Sequence, residues 1–172
     1  MQAAHTLAGL PPAWSDWVTV CARAHSRLFP LRPGAPPLST TLLALLGFIC
    51  WSLFLLVLME AIRSKLVLTG AVVANGFDPQ NSTLSPFMQR LARAHANCVE
   101  GLPIFGGLMV VAVLAGKTHV TDPLAYALLG ARMVQSLIHL ASTSPAAVTA
   151  RFTAFAVQMG IAVYWAVGLH GA

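Results

Sequence analysis

A chain of 172 residues that is 57% hydrophobic and 9% charged, with mean hydropathy +0.74, carries too much apolar surface and too little charge for an ordinary water-soluble domain. Its net charge of +5 rests on few ionisable groups and no basic, aromatic-studded surface, which argues against nucleic acid and for membrane orientation and anionic ligands. Cys21, Cys50 and Cys98 are too widely spaced for a disulfide framework or a metal site.

Residues 1–37 mix Trp14, Trp17 and Val18 with Arg23, Arg27 and Arg32, then break into a run containing Pro30, Pro33, Pro36 and Pro37. No apolar segment follows a basic start as in a signal peptide, so this stretch reads as a flexible or interfacial tail with its tryptophans at headgroup level. Residues 38–172 read as one all-α membrane domain with spans at about 38–62, 86–115, 123–143 and 145–169.

The first span ends in Glu60, Arg63 and Lys65. Glu60 and Arg63 are one helical turn apart, which suits a local ion pair or a ligand role for Arg63. The loop over residues 64–85 holds the turn signals Asn75-Gly76 and Asp78-Pro79 and the sequon Asn81-Ser82-Thr83. Ser85-Pro86, Asp122-Pro123 and Ser144-Pro145 each read as an N-cap followed by a proline in first helical position, opening spans two, three and four. Pro103 removes a backbone hydrogen bond and is expected to bend the second span. Small residues such as Gly106, Gly107 and Gly116 suit close helix packing.

Polarity concentrates on two stripes. Arg90, Arg93, Asn97 and Glu100 fall within roughly 80° at 100° per residue, at the mouth of an apolar run. Arg132, Gln135, His139 and Ser142 repeat the same spacing in the third span. Following the chain's direction, the end of span one, the start of two, the end of three and the start of four share one side of the membrane. Arg63, both stripes and Arg151 therefore gather there, and they must face one another or a neighbouring subunit because lipid would leave them unsatisfied. That side's loops and helix ends carry Arg63, Lys65, Arg90, Arg93 and Arg151, against Arg23, Arg27, Arg32 and Lys117 opposite, which favours cytoplasmic placement. His95 lies about 140° from Arg90 and reads as interfacial or intersubunit packing. Cys98 reads as a small buried side chain.

Arginines suit carboxylates or phosphates, and Glu100 can accept from an ammonium or pair with an arginine. Glutathione, with two carboxylates and one amine, matches that inventory. Arg151 could hold a thiolate by lowering its pKa, the usual preparation of sulfur as a nucleophile.

The pattern Arg90-x-x-Arg93-Ala94-x-x-Asn97-Cys98-x-Glu100, followed by Pro103 and Phe105, resembles the second-helix signature of the membrane-associated proteins in eicosanoid and glutathione metabolism. These include microsomal glutathione transferases, microsomal prostaglandin E synthase and leukotriene synthase. The resemblance spans about residues 40–170. It implies a four-helix protomer, a homotrimer, and glutathione bound between protomers at the cytoplasmic side. By that pattern Arg93, Asn97 and Glu100 hold glutathione, Arg63 assists, Arg151 faces the sulfur, and Arg132 opens the third-helix motif. Arg90, Gln135 and His139 complete the candidate ligand set. Gln135 and His139 stand where the family usually has histidine or tyrosine and then tyrosine, and Phe152 where prostaglandin E synthase has a serine. These departures count against prostaglandin isomerase chemistry, whereas Gln and His still offer hydrogen bonds to glutathione.

The expected function is therefore glutathione-dependent: conjugation to a lipophilic electrophile, or reduction of a lipid hydroperoxide. The alternative is a catalytically silent member that binds a lipid or a partner protein. A transporter fits less well, since no inverted repeat relates the halves and the polar groups gather near one face.

Overall fold

The computed structural model describes residues 37–171. The expected tail lies outside the described residues, apart from Pro37. Four long helices follow: α1 (Thr40–Leu68), α2 (Pro86–Leu114), α3 (Thr118–Ala141) and α4 (Pro145–Gly171). Each is long and apolar enough to cross a membrane. The fold is an all-α four-helix membrane bundle, and the protein is an integral membrane protein.

Local chemistry sets most of the boundaries. Ser39 Oγ accepts from Leu42 N and caps α1; Ser85 Oγ accepts from Met88 N and caps α2, with Pro86 behind it. Ser144 Oγ accepts from Ala147 N at 3.3 Å where α4 begins at Pro145. Gly116, at φ 68°, turns the chain out of α2 in a conformation that costs glycine little.

Asp122 departs from expectation. The third helix starts at Thr118, so Asp122 and Pro123 lie inside it. The carboxylate instead caps another helix: Asp122 Oδ1 accepts from Thr41 N at 2.8 Å and from Thr41 Oγ1 at 2.6 Å. Buried Thr121 completes the knot, its Oγ1 lying 2.7 Å from Thr41 Oγ1. The first turn of α1 has amide groups without intrahelical partners, and a negative charge there is doubly favoured.

At the other end of α1, Arg63 fastens the α1–α2 loop. Its Nη1 donates to Glu60 Oε1 at 3.0 Å, its Nη2 to the Asp78 carbonyl at 3.1 Å, and its Nε and Nη2 both to Asn81 Oδ1. Asn81 is fully buried at φ 55°, and its amide nitrogen donates to the Met88 carbonyl at 3.1 Å. The sequon asparagine is thus consumed by the fold. Asp78, held below the usual carboxylate range chiefly by the Ser82 hydroxyl and also by backbone N–H groups, fastens the same loop.

The core runs along the bundle axis through Phe48, Leu55, Leu91, Phe105, Met109, Leu128 and Trp165. Large apolar side chains such as Leu46, Leu53, Phe54 and Val57 point outward. That inverts the soluble pattern and is the expected arrangement when hydrocarbon is the solvent.

Candidate functional site

Two adjoining cavities open between α2, α3 and α4. The outer one, about 290 Å³, is lined by Arg93, Asn97, Gln135, His139, Val148, Arg151, Phe152 and Phe155. The inner one, about 260 Å³, is lined by Asn97, Glu100, Gly101, Ile104, Phe105, Arg132, Gln135, Phe155 and Met159. Asn97, Gln135 and Phe155 belong to both. An apolar groove of about 550 Å³ between α2 and α4 continues inward, sharing Ile104 and Met159 with the inner cavity.

Helical spacing explains the gathering. Arg93, Asn97 and Glu100 are successive turns of α2, Arg132, Gln135 and His139 of α3, and Arg151, Phe155 and Met159 of α4. Because α2 and α4 run into the membrane from the same side while α3 runs out, the numbers rise inward on α2 and α4 and fall inward on α3. The charged and amide side chains crowd the outer cavity, and the lining becomes apolar toward the innermost groove.

Arg132 occupies the inner wall, buried to 1% exposure. Its Nη1 donates to the Asn97 carbonyl at 3.2 Å, and its guanidinium carbon lies 5.4 Å from the ring centroids of both Phe48 and Phe105. Its Nε and Nη2 have no hydrogen-bond partner among the described residues. Gly101 makes the space: a side-chain carbon there would sit 2.5 Å from Arg132 Nη2 and 3.0 Å from the Phe105 ring.

Around the two cavities the polar groups pair with one another. Arg93 Nη1 and Glu100 Oε1 are 3.5 Å apart, with both side chains 61% exposed. Arg151 Nη1 lies 3.4 Å from His139 Nε2, which must accept because a guanidinium has no lone pair. Gln158 Nε2 donates to Gln135 Oε1 at 3.0 Å.

Seven of the nine residues singled out in the sequence line these cavities: Arg93, Asn97, Glu100, Arg132, Gln135, His139 and Arg151. The structure does not bring Arg90 and Arg63 to them. Arg90 Nε donates to the Leu140 carbonyl at 3.0 Å and ties α2 to the end of α3. Arg63 is engaged with its own loop. Cys98 is buried, its sulfur 3.7 Å from Ser136 Oγ, as a packing residue would be.

Gln158, fully buried, escaped notice in the sequence. The available signal was its position seven residues after Arg151, about 20° from it on the same helix face, and the cost of an amide within an apolar span.

The MAPEG family model matches residues 41–170, most of the chain and all four helices. The chain belongs to the MAPEG family. Its members are membrane proteins of glutathione and eicosanoid metabolism, and they generally use glutathione. No curated protein and no solved structure matches the chain. Arg93, Asn97 and Glu100 of the second helix line the same two adjoining cavities as Arg132 of the third and Arg151 of the fourth.

Proposed function

We propose that this MAPEG protein is a glutathione-dependent membrane enzyme whose glutathione site is the pair of cavities between α2, α3 and α4. One observation carries the reading: Arg93, Asn97, Glu100, Gln135, His139 and Arg151, from three helices, converge on connected cavities with complementary charge for two carboxylates and one amine. Arg93 and Arg151 take the carboxylates or the thiolate, and Glu100 takes the ammonium by exchanging its long contact with Arg93 for the ligand. Arg132, with two buried donors to spare, supplies positive potential from the inner wall.

The reaction is attack of the thiolate on a lipophilic electrophile, forming a carbon–sulfur bond while the leaving group or opened ring takes the electron pair. Arg151 favours the ionised sulfur, the form that reacts. A lipid hydroperoxide is the other substrate class: two glutathiones are oxidised to the disulfide while the peroxide becomes alcohol and water. The apolar groove between α2 and α4 offers a path by which either substrate reaches the sulfur from the bilayer. The site side faces the cytoplasm, following the basic residues.

A second reading, lipid binding without turnover, draws on Phe152, which lines the outer cavity with a ring and no hydroxyl. Calorimetry of the detergent-purified protein with reduced glutathione separates the two. Millimolar or tighter binding that disappears in Arg93→Ala is the expected result. No heat of binding in the wild type would overturn the enzyme reading in favour of the lipid-binding one.

A further inference from the structure

Gln158 is an unusual residue to bury in a membrane helix, and its hydrogen bonds run in one direction. Its Nε2 donates to the Ala154 carbonyl at 2.9 Å and to Gln135 Oε1 at 3.0 Å. The Ala154 carbonyl is backbone and can only accept, so it fixes which end of the Gln158 amide is nitrogen. Turning that amide over would set two carbonyl oxygens against each other at the same distance. Gln158 therefore presents a donor to Gln135, and Gln135 must answer with its oxygen. The Gln135 nitrogen, with both protons, is left for the two cavities that Gln135 lines. Meanwhile Gln158 Oε1 is buried with no hydrogen-bond partner among the described residues, so the arrangement is retained at a cost to the fold.

We infer that Gln158 is a positioning residue that locks the Gln135 amide so that it offers N–H donors to the ligand at the junction of the two cavities. The inference rests on the glutathione site proposed above and deepens it. The junction then accepts a thiolate, a carboxylate or a carbonyl oxygen, and rejects an ammonium. It does so with a neutral group between the arginines of the outer cavity and Arg132.

The test is a double-mutant cycle on the full chain in detergent, read as glutathione affinity by calorimetry, with thermal unfolding to confirm folding. Gln158→Glu replaces the donor with an acceptor and turns the Gln135 nitrogen away from the cavity; Gln158→Met removes the donor at similar volume. Weakening of binding by about tenfold in the first and about threefold in the second is expected. In a Gln135→Met background neither Gln158 substitution should weaken binding further, because the amide it positions is gone. Equal losses in both backgrounds would reduce Gln158 to packing and overturn the inference, as would unchanged affinity in the single variants. Should Gln158→Glu fail to fold, Gln158→Met completes the cycle alone. A wild type that does not bind glutathione sinks the site itself, a distinct result from a wild type that binds and Gln158 variants that match it.

Discussion

A guanidinium at 1% exposure in an apolar bundle needs compensation, and Arg132 draws part of it from two aromatic faces and one carbonyl, in space left by a missing side chain. The missing side chain is that of Gly101, which makes a methyl group the sharpest probe of this arrangement. Gly101→Ala should force Arg132 or Phe105 to move, at about 1–3 kcal/mol of stability by overpacking, visible as a lower thermal midpoint in detergent. Glutathione affinity should fall with it; an unchanged midpoint and affinity would show that Arg132 does not depend on that space. Arg151 is the opposite case, a half-exposed arginine with one long contact to His139 and donors free for a ligand. Arg151→Ala should lower turnover with a chlorodinitrobenzene-type acceptor at least tenfold, about 1.4 kcal/mol of barrier. Undiminished turnover would remove Arg151 from the chemistry.

Among the elements, those whose boundaries are encoded locally were legible in the sequence and those fixed from a distance were not. Ser85-Pro86 and Ser144-Pro145 open helices because cap and proline act on the next few residues alone. Asp122-Pro123 has the same form, yet its carboxylate serves Thr41, 81 positions away, and only the tertiary fold reveals that preference. The polar stripes of α2 and α3 were readable because several costly residues repeat at helical spacing. Gln158 was not, since a single amide makes no pattern until its partner Gln135 is seen across the α3–α4 contact. Arg63 kept two readings in the sequence, and the structure shows the ion pair with Glu60 together with a loop clamp through Asn81. Asp122 yields a prediction about α1 as a unit: Asp122→Ala should cost about 1–2 kcal/mol, as loss of a helix cap does. The lesion lies at least 10 residues along α3 from the cavity residues, so glutathione affinity should not change. Loss of binding with stability intact would mean that this end of the bundle communicates with the site.

For the whole molecule, the open side of the cavities along α2 is the part a single chain leaves without a neighbour. Arg93 and Glu100 pair there with 61% of each side chain exposed, on a helix whose 29 residues extend about 43 Å. The first turns can stand in the interface, but Glu100 lies about 21 Å along the axis, and its short side chain snorkels poorly compared with arginine. Facing hydrocarbon, such a charge is strongly unfavourable, so α2 requires a polar or protein neighbour along that stripe. A second copy of the chain, packed against this edge, would form the missing outer wall of these cavities and shield the pair. It is also the route by which another protomer's Arg63 could reach the ligand. Three copies is the number that the family resemblance implies, and native mass spectrometry in mild detergent should therefore give the mass of three 18.2 kDa chains. Arg93→Glu sets like charges one above the other on the same helix and should shift that mass toward single chains while the helical content persists. A wild type that runs as a monomer under conditions where it binds glutathione would mean that each chain closes its own site, and the exposed stripe would then need lipid headgroups or water to account for it.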